Sequence, residues 1–200
     1  MSATVITTLL GMGRWMPDAQ GRMIRAAVEL FAERGFEQTT AGDIAERAGV
    51  TERTFFRHFA DKREVLFDNS KTMERKAYDA ILAASAGLSP LDAALAGVVA
   101  GASLLEDRRD HAVRRSRIIA ANPGLQEREL LKLAAMAETA AEALRARGVA
   151  EPTASLAAHS AVTVFQVGFA HWVSDEVSAE RPPGIAACIA EAAAALRALT

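Results

Sequence analysis

The sequence predicts an all-α chain, with an N-terminal three-helix unit followed by a larger helical domain. Three observations predict it. Half of the 200 residues are apolar but only 6% are aromatic, and with Ala abundant and Gly and Pro few, extended structure is disfavoured. Apolar residues recur at intervals of three and four, the period of a helix face. The chain is punctuated at Gly35, Gly49, Gly87, Asn122-Pro123-Gly124, Gly148 to Pro152 and Arg181-Pro182-Pro183-Gly184, where Gly or Pro ends a helix.

Residues 1–17, "MSATVITTLLGMGRWMP", hold a short apolar run without the leading positive charges or small-residue cleavage site of a secretory signal. They read as a flexible arm; a start placed too far upstream, with Met12 or Met16 as the first residue, would look the same. The N-terminal unit then spans 18–66 and the second domain 67–200. After Asp18, the residues Ile24, Ala27, Val28 and Phe31 fall at i, i+3, i+4 and i+7, and Gly35 stops a first helix of about 18–34. Thr40 with Asp43 resembles an N-terminal cap with an acidic partner. Ile44, Ala45 and Ala48 form the apolar face of a second helix of about eight residues ending at Gly49. Thr51 caps an equally short third helix, in which Phe55 and Phe59 stack four apart. Asp61 caps a long fourth helix that begins at Lys62, carries Val65, Leu66, Met73, Ala77, Ile81 and Leu82, and runs to Gly87. Further helices are expected near 90–106, 108–121, 124–147, 152–176 and 183–199.

Helices of about eight residues are marginal alone, so the second and third must be held by each other and by the first. Two short helices around Gly49-Val50-Thr51 are the helix-turn-helix pattern, in which the first braces and the second lies in the DNA major groove. With Phe55 and Phe59 turned inward onto Ile44, Ala48 and Phe31, the outward set is Thr51, Glu52, Arg53, Phe56, Arg57 and His58. The net charge of -2 does not point to nucleic acid. Residues 14–76 hold 12 Lys or Arg against 11 Asp or Glu, and the remainder 11 against 14, so only the cluster Arg53, Arg57, His58, Lys62, Arg63 is basic. Arg53 and Thr54 lie in the first turn of the third helix, where side chains reach base edges, and Arg suits bidentate contact with guanine. Glu52 either accepts from a cytosine amino group or repels a wrong register. Thr40 offers a hydroxyl and free backbone N–H groups to a phosphate.

Over residues 26–67, "AAVELFAERGFEQTTAGDIAERAGVTERTFFRHFADKREVLF", the positions Phe31, Gly35, Thr39, Thr40, Ile44, Ala45, Ala48, Gly49, Val50, Thr54, Phe59 and Lys62 resemble in register the DNA-binding domain of the tetracycline-repressor (TetR) family of bacterial regulators. The resemblance implies a palindromic double-stranded operator as partner, met through Thr40, Thr51, Arg53, Thr54, Phe56, Arg57, His58 and Lys62. Phe56 stands where similar proteins carry a Tyr whose hydroxyl meets a phosphate; without it, Phe56 either touches a thymine methyl or sugar or simply packs. By the same resemblance His58 donates a ring N–H to phosphate. Lys62 matches a lysine that approaches the DNA backbone, helped by the positive end of its helix. Arg57 either joins this set or is merely solvated.

Residues 107–148, "DRRDHAVRRSRIIAANPGLQERELLKLAAMAETAAEALRARG", look like the C-terminal domain of a branch of these regulators that binds acyl-CoA-like ligands, where an Arg-rich helix precedes Asn-Pro and a "LQER" segment. An acyl thioester needs an apolar tunnel for its chain and cations at the mouth for its phosphates. Arg114, Arg117 and Ile118, and further on Arg128 and Lys132, offer that combination, unless the arginines pair at the surface with Asp107, Asp110, Glu127 and Glu129. Met136, Phe165 and Phe169 are candidate lining residues, with Leu104, Val113, Leu125, Leu144 and Val162 as tunnel or plain core. The stretches "SLAAHSAVTVFQVGFAHWV" and "IAACIAEAAAALRAL" carry small residues that let helices approach closely. By resemblance they supply the four-helix interface of a homodimer, which sets two recognition helices about 34 to 36 Å apart along a duplex.

No catalytic constellation appears. His159 and His171 sit about 120° apart on one helix, and His171 with Asp175 supplies two ligands, too few for a metal site. No cofactor or metal is expected. Cys188 has no intrachain partner and fits a reducing cytoplasm, and no window reaches the roughly 18 apolar residues that span a bilayer. The expectation is a ligand-responsive, DNA-binding transcriptional regulator, a repressor released from its operator by a small apolar or acyl-type effector. It would act in the cytoplasm, at the nucleoid when bound to DNA. The rival reading is a small-molecule carrier or enzyme on an all-α bundle.

Overall fold

The computed structural model describes residues 18–174 and 183–199; the predicted arm over 1–17, Asp175 and the Arg181-Pro182 break lie outside them. Among the described residues all regular structure is helical. Helix α1 (Ala19–Arg34) opens on Asp18, whose carboxylate accepts from the Gly21 N–H at 2.9 Å, and closes at Gly35 with φ 87°. That left-handed geometry suits a residue without Cβ. Helix α2 (Ala41–Arg47) begins with the reciprocal Thr40–Asp43 capping box. It ends in a Schellman turn, with the Val50 N–H on the Ala45 carbonyl at 2.9 Å, the Gly49 N–H on that of Glu46 at 3.0 Å, and Gly49 at φ 67°.

Helix α3 (Glu52–His58) starts at Thr51, whose hydroxyl accepts from the Thr54 N–H at 3.2 Å. Thr51→Ala removes this cap and is expected to cost about 1 kcal/mol of stability. The measurement is the denaturant midpoint at constant slope; an unmoved midpoint would show the cap to be idle. Met23, Ala27, Leu30 and Phe31 of α1, Ile44 of α2, Phe55 of α3 and Phe59 just beyond it bury one another in a single cluster.

The long fourth helix predicted from Lys62 to Gly87 is broken. The Asp61 carboxylate does accept from the N–H groups of Arg63 at 2.7 Å and Glu64 at 3.3 Å, but the chain then makes only a 3-10 turn over Glu64–Phe67. Helix α4 is confined to Ser70–Ala83. Val65, Leu66 and Phe67 are all buried, and three successive buried side chains exceed the apolar stripe of a surface α-helix. A short, tighter turn places all three in the core. The predicted 90–106 stretch likewise divides into α5 (Pro90–Ala102) and a 3-10 turn over Ser103–Arg108. Helices α6 (Arg109–Ala120), α7 (Pro123–Ala146), α8 (Thr153–Val173) and α9 (Ile185–Arg197) fall within three residues of their predicted bounds.

In the second domain α4 packs on α5 and α7, and α8 packs on α5, α7 and α9. Small residues set these distances. A Cβ added at Gly168 of α8 would lie 2.8 Å from the Ile189 Cα of α9, so the two backbones meet where no side chain intervenes. Arg147, just beyond α7, donates to the carbonyls of Ile81 and Ser85, both at 3.0 Å, satisfying oxygens left open where α4 ends. The two domains share a wall: Ile118 and Ile119 of α6 and Leu125 of α7 are buried in the N-terminal cluster with Val65, Leu66 and Phe67, and α6 packs on α1. No helix among the described residues is long and apolar enough to cross a membrane.

Candidate nucleic-acid interface and ligand cavity

Helix α3 is fixed on one side and bare on the other. Phe55 is fully buried and Phe59 nearly so, with their ring centroids 5.4 Å apart. Opposite them Glu52, Arg53, Arg57 and His58 are exposed, and Phe56 is 52% exposed. Arg53, Arg57 and His58 make no hydrogen bond or ion pair with any described residue. Base edges and phosphates demand such donors: held by a rigid helix, with no internal acceptor competing for them. Phe56 meets Phe55 edge-on at 5.4 Å and leaves its other side open. Thr51 is exposed; Thr54 is half-buried, its hydroxyl 3.0 Å from that of Thr51.

Two of the predicted phosphate contacts have other partners. The Thr40 N–H and hydroxyl both donate to the Asp43 carboxylate at 2.8 Å. Those bonds, the backbone one foremost, hold Asp43 below the usual carboxylate range. The free N–H expected at Thr40 is therefore taken, because the capping box closes on it. Lys62 does not begin a helix. Its Nζ donates to the carbonyls of Phe36 at 2.8 Å and Thr39 at 3.0 Å and lies 4.3 Å from the centre of the Phe36 ring, tying the α1–α2 loop to the end of α3. Lys62→Met keeps the stem and deletes these bonds, so we expect stability to fall by about 1 to 3 kcal/mol with the salt dependence of DNA binding unchanged. A salt slope reduced by about one at unchanged stability would return Lys62 to the phosphate backbone.

A cavity of about 330 Å³ lies between the 3-10 turn at Glu64–Phe67 and helices α6, α7 and α8. Phe67, Leu133, Met136, Phe165 and Phe169 supply apolar wall, and Arg108, His111, Arg115 and Ser116 form a polar one. Of the residues expected to line a ligand site, Met136, Phe165 and Phe169 line this cavity. Arg114, Arg117 and Ile118 do not. Arg114 and Arg117 are exposed away from the cavity, and Ile118 is buried against the N-terminal core. Helical phase is the reason for the arginines: Arg108, His111 and Arg115 repeat at three and four residues on one face, from which Arg114 and Arg117 are rotated away. Ile118 shares that phase but lies a turn further along, among the N-terminal core residues. Of the further tunnel candidates, Leu104, Val113, Leu125, Leu144 and Val162 also lie outside the lining. Arg108, His111 and Arg115 escaped the sequence reading; anchoring the phase on the apolar Ala112 would have found them.

Arg115 joins the cavity to the neighbouring core. Its Nε donates to the Leu66 carbonyl at 2.6 Å and its Nη1 to Glu129 at 2.9 Å, and the guanidinium lies 5.0 Å from the Phe67 ring centre. Burial pushes its pKa down, with Glu129 opposing. Arg128 and Lys132, expected at a ligand mouth, converge instead on Glu64 of the 3-10 turn, at 2.6 Å and 3.4 Å; Lys132 also touches the cavity. The His111 imidazole is held below its ordinary value by burial first, then by Arg115, Arg108 and Arg114. Its Nε2 is closed off from solvent with no hydrogen-bond partner among the described residues. Among the described residues no three His, Cys, Asp or Glu side chains are grouped to hold a metal ion.

The family model described as bacterial regulatory proteins, tetR family, matches residues 23–68, which take in most of α1, all of α2 and α3, and the first 3-10 turn. The HTH-type transcriptional regulator TcmR of Streptomyces glaucescens is 40% identical over 80 residues, which is 40% of this chain and 35% of that protein. The match thus spans about a third of TcmR. A Mycobacterium tuberculosis protein, MftR, named as a putative mycofactocin biosynthesis transcriptional regulator, is 28% identical over 168 residues, 82% of this chain and 85% of its own. The crystal structure of Thermus thermophilus FadR, described as a TetR-family transcriptional repressor in complex with lauroyl-CoA, superposes with a TM-score of 0.51 at 22% identity, covering 89% of this chain and 93% of that one. At such identity the likeness is one of fold. Residues 23–68 are therefore similar to the tetR family of bacterial regulatory proteins, and the described helices together have the fold seen in the T. thermophilus protein.

Proposed function

We propose that the chain is a ligand-responsive transcriptional regulator, a homodimeric repressor that holds a palindromic operator through α3 and leaves it when a small apolar or acyl-type effector fills the cavity. The observation that carries this reading is the exposed and unpaired row Arg53, Arg57 and His58 on a helix fixed by Phe55 and Phe59. Thr51, Thr54 and Phe56 complete the face toward DNA. The apolar cavity wall supports the effector, as does the lauroyl-CoA bound to the FadR of T. thermophilus. Support for the dimer comes from Leu156 and Val167 on α8, 65% and 57% exposed, and from Ala186, Ala187, Ala190 and Ala194, exposed on α9. A second copy would cover that apolar surface. Relatives named as transcriptional regulators weigh against a carrier or an enzyme.

Phe67 both lines the cavity and belongs to the N-terminal core, so a ligand that reorders the cavity wall changes the seat of α3. An effector acts through its differing affinity for the two arrangements, and a coupling of about 1 to 3 kcal/mol makes a useful switch. The site of action is the cytoplasm, at the nucleoid when bound to DNA. Selection from a random duplex pool, followed by footprinting across a range of salt, tests the reading. The expected result is a short protected site with two-fold symmetry, bound by a dimer, whose affinity falls log-linearly with salt. Protection without a shared sequence, or indifference to duplexes, refutes it.

A further inference from the structure

We infer that the effector is a small amphipathic molecule with a single carboxylate-type anionic head, held inside the cavity by Arg108, His111 and Arg115, with its apolar body against Phe165, Phe169 and Met136. The inference rests on the regulator reading and names the chemistry of its ligand. Four observations carry it.

The cavity offers both polar and apolar wall. Arg108, His111, Arg115 and Ser116 come from one continuous stretch of chain and line the cavity, where Asp68, Glu129 and Lys132 add further charged groups. Met136, Phe165 and Phe169 line it with apolar side chains, so a ligand that fills this space meets both kinds of surface.

Two of these groups lack partners among the described residues. Arg108 makes no hydrogen bond or ion pair with any of them, and the Nε2 of His111 is buried without an acceptor or donor among them. A buried polar atom left unsatisfied is costly, and here that cost falls on His111. An oxygen-bearing head placed beside the exposed Arg108, with the imidazole turning about its Cβ–Cγ bond to meet it, gives the arginine a counter-charge and the imidazole a partner.

The charges lining the cavity also have one unmatched member: Arg108, Arg115 and Lys132 face Asp68 and Glu129. Glu64, behind Lys132, is already shared with Arg128. One negative charge balances the set, whereas a polyphosphate would overshoot it.

Size points the same way. A volume of about 330 Å³ lies at the small end of ligand pockets, which run from about 300 to 1,000 Å³. A medium-length acid fits within it, while the nucleotide and pantetheine of a coenzyme A thioester would have to remain outside. The position of Arg115 also supplies a route for the signal. A carboxylate drawn to its guanidinium competes with the Leu66 carbonyl and Glu129, and so loosens the 3-10 turn whose Val65, Leu66 and Phe67 are buried in the N-terminal core.

Calorimetric titration of the full chain with decanoate, 1-decanol and decanoyl-CoA tests this. Decanoate should bind at least about tenfold more tightly than either of the others, the size expected of a charge-assisted hydrogen bond. Arg108→Gln, at an exposed position that leaves the core intact, should erase that preference while decanol affinity stays the same. Equal affinity for decanol, tighter binding of decanoyl-CoA, failure of decanoate to bind, or a preference that survives Arg108→Gln each overturns the inference. The same preparations are titrated with selected duplex. Sequence-selective DNA binding without a decanoate preference sinks this inference alone, whereas a decanoate preference without DNA selection supports the site and sinks the regulator reading.

Discussion

Phe55→Ala should lower the unfolding free energy by about 3 to 5 kcal/mol, the largest loss expected of any single truncation in the N-terminal unit. Phe55 is 0% exposed, meets Phe56 edge-on and lies tilted against Phe59. It sits in the cluster formed by α1, α2 and α3. A helix of seven residues has too few internal hydrogen bonds to persist without such packing, so the cavity left by the ring removes what holds α3 to the body of the protein. Thermal unfolding followed by far-ultraviolet circular dichroism measures the loss. We expect the N-terminal unit to melt ahead of the second domain, whose alanine-rich core shares none of these side chains. A loss below about 1 kcal/mol, well under the range for a buried aromatic ring, would mean that the site collapses around the smaller side chain and that Phe55 does not hold α3.

Arg53→Ala should weaken binding to the selected operator by about 1 to 3 kcal/mol and relax the preference at one base position. Arg53 lies in the first turn of α3, exposed and without a partner among the described residues. No hydrogen bond or ion pair with a described residue is broken by its removal, so stability should be unchanged. The comparison that decides is between operator and random duplex in the same buffer. A purely electrostatic contact costs both alike, whereas a base contact costs the operator alone. Equal losses on the two would reassign Arg53 to the phosphate backbone.

Local chemistry made much of the N-terminal unit legible. Thr40 and Asp43, Gly49, and Thr51 mark the ends of α2 and α3 through bonds within a few residues of each other, and such bonds depend on sequence spacing rather than on the rest of the fold. The outward face of α3 followed from the inward one, since Phe55 and Phe59 leave Arg53, Arg57 and His58 on the other side. The bonds of Lys62 and the start of α4 are not legible in the sequence, for a shared reason. The carbonyls of Phe36 and Thr39 that hold Lys62 are more than twenty residues away. Likewise, the burial of Val65, Leu66 and Phe67 depends on α6 and α7 arriving at Ile118, Ile119 and Leu125. No local pattern announces either event.

The cavity shows the same division more sharply. That α6 would be rich in arginine and α8 in aromatic side chains is written in the sequence. Which arginines face inward is not, because a rotation of about 100° per residue exchanges Arg114 for Arg115, and only the packing of α6 on α1, α7 and α8 fixes that rotation. The sequence alone determined most of the helices, the caps of α2 and α3 and the outward face of α3, all consequences of interactions spanning a few residues. The tertiary structure decided where the helices break at Glu64–Phe67 and Ser103–Arg108, that Lys62 holds a loop, and that Arg108, His111 and Arg115 line the cavity, because those outcomes depend on contacts between segments far apart in the chain.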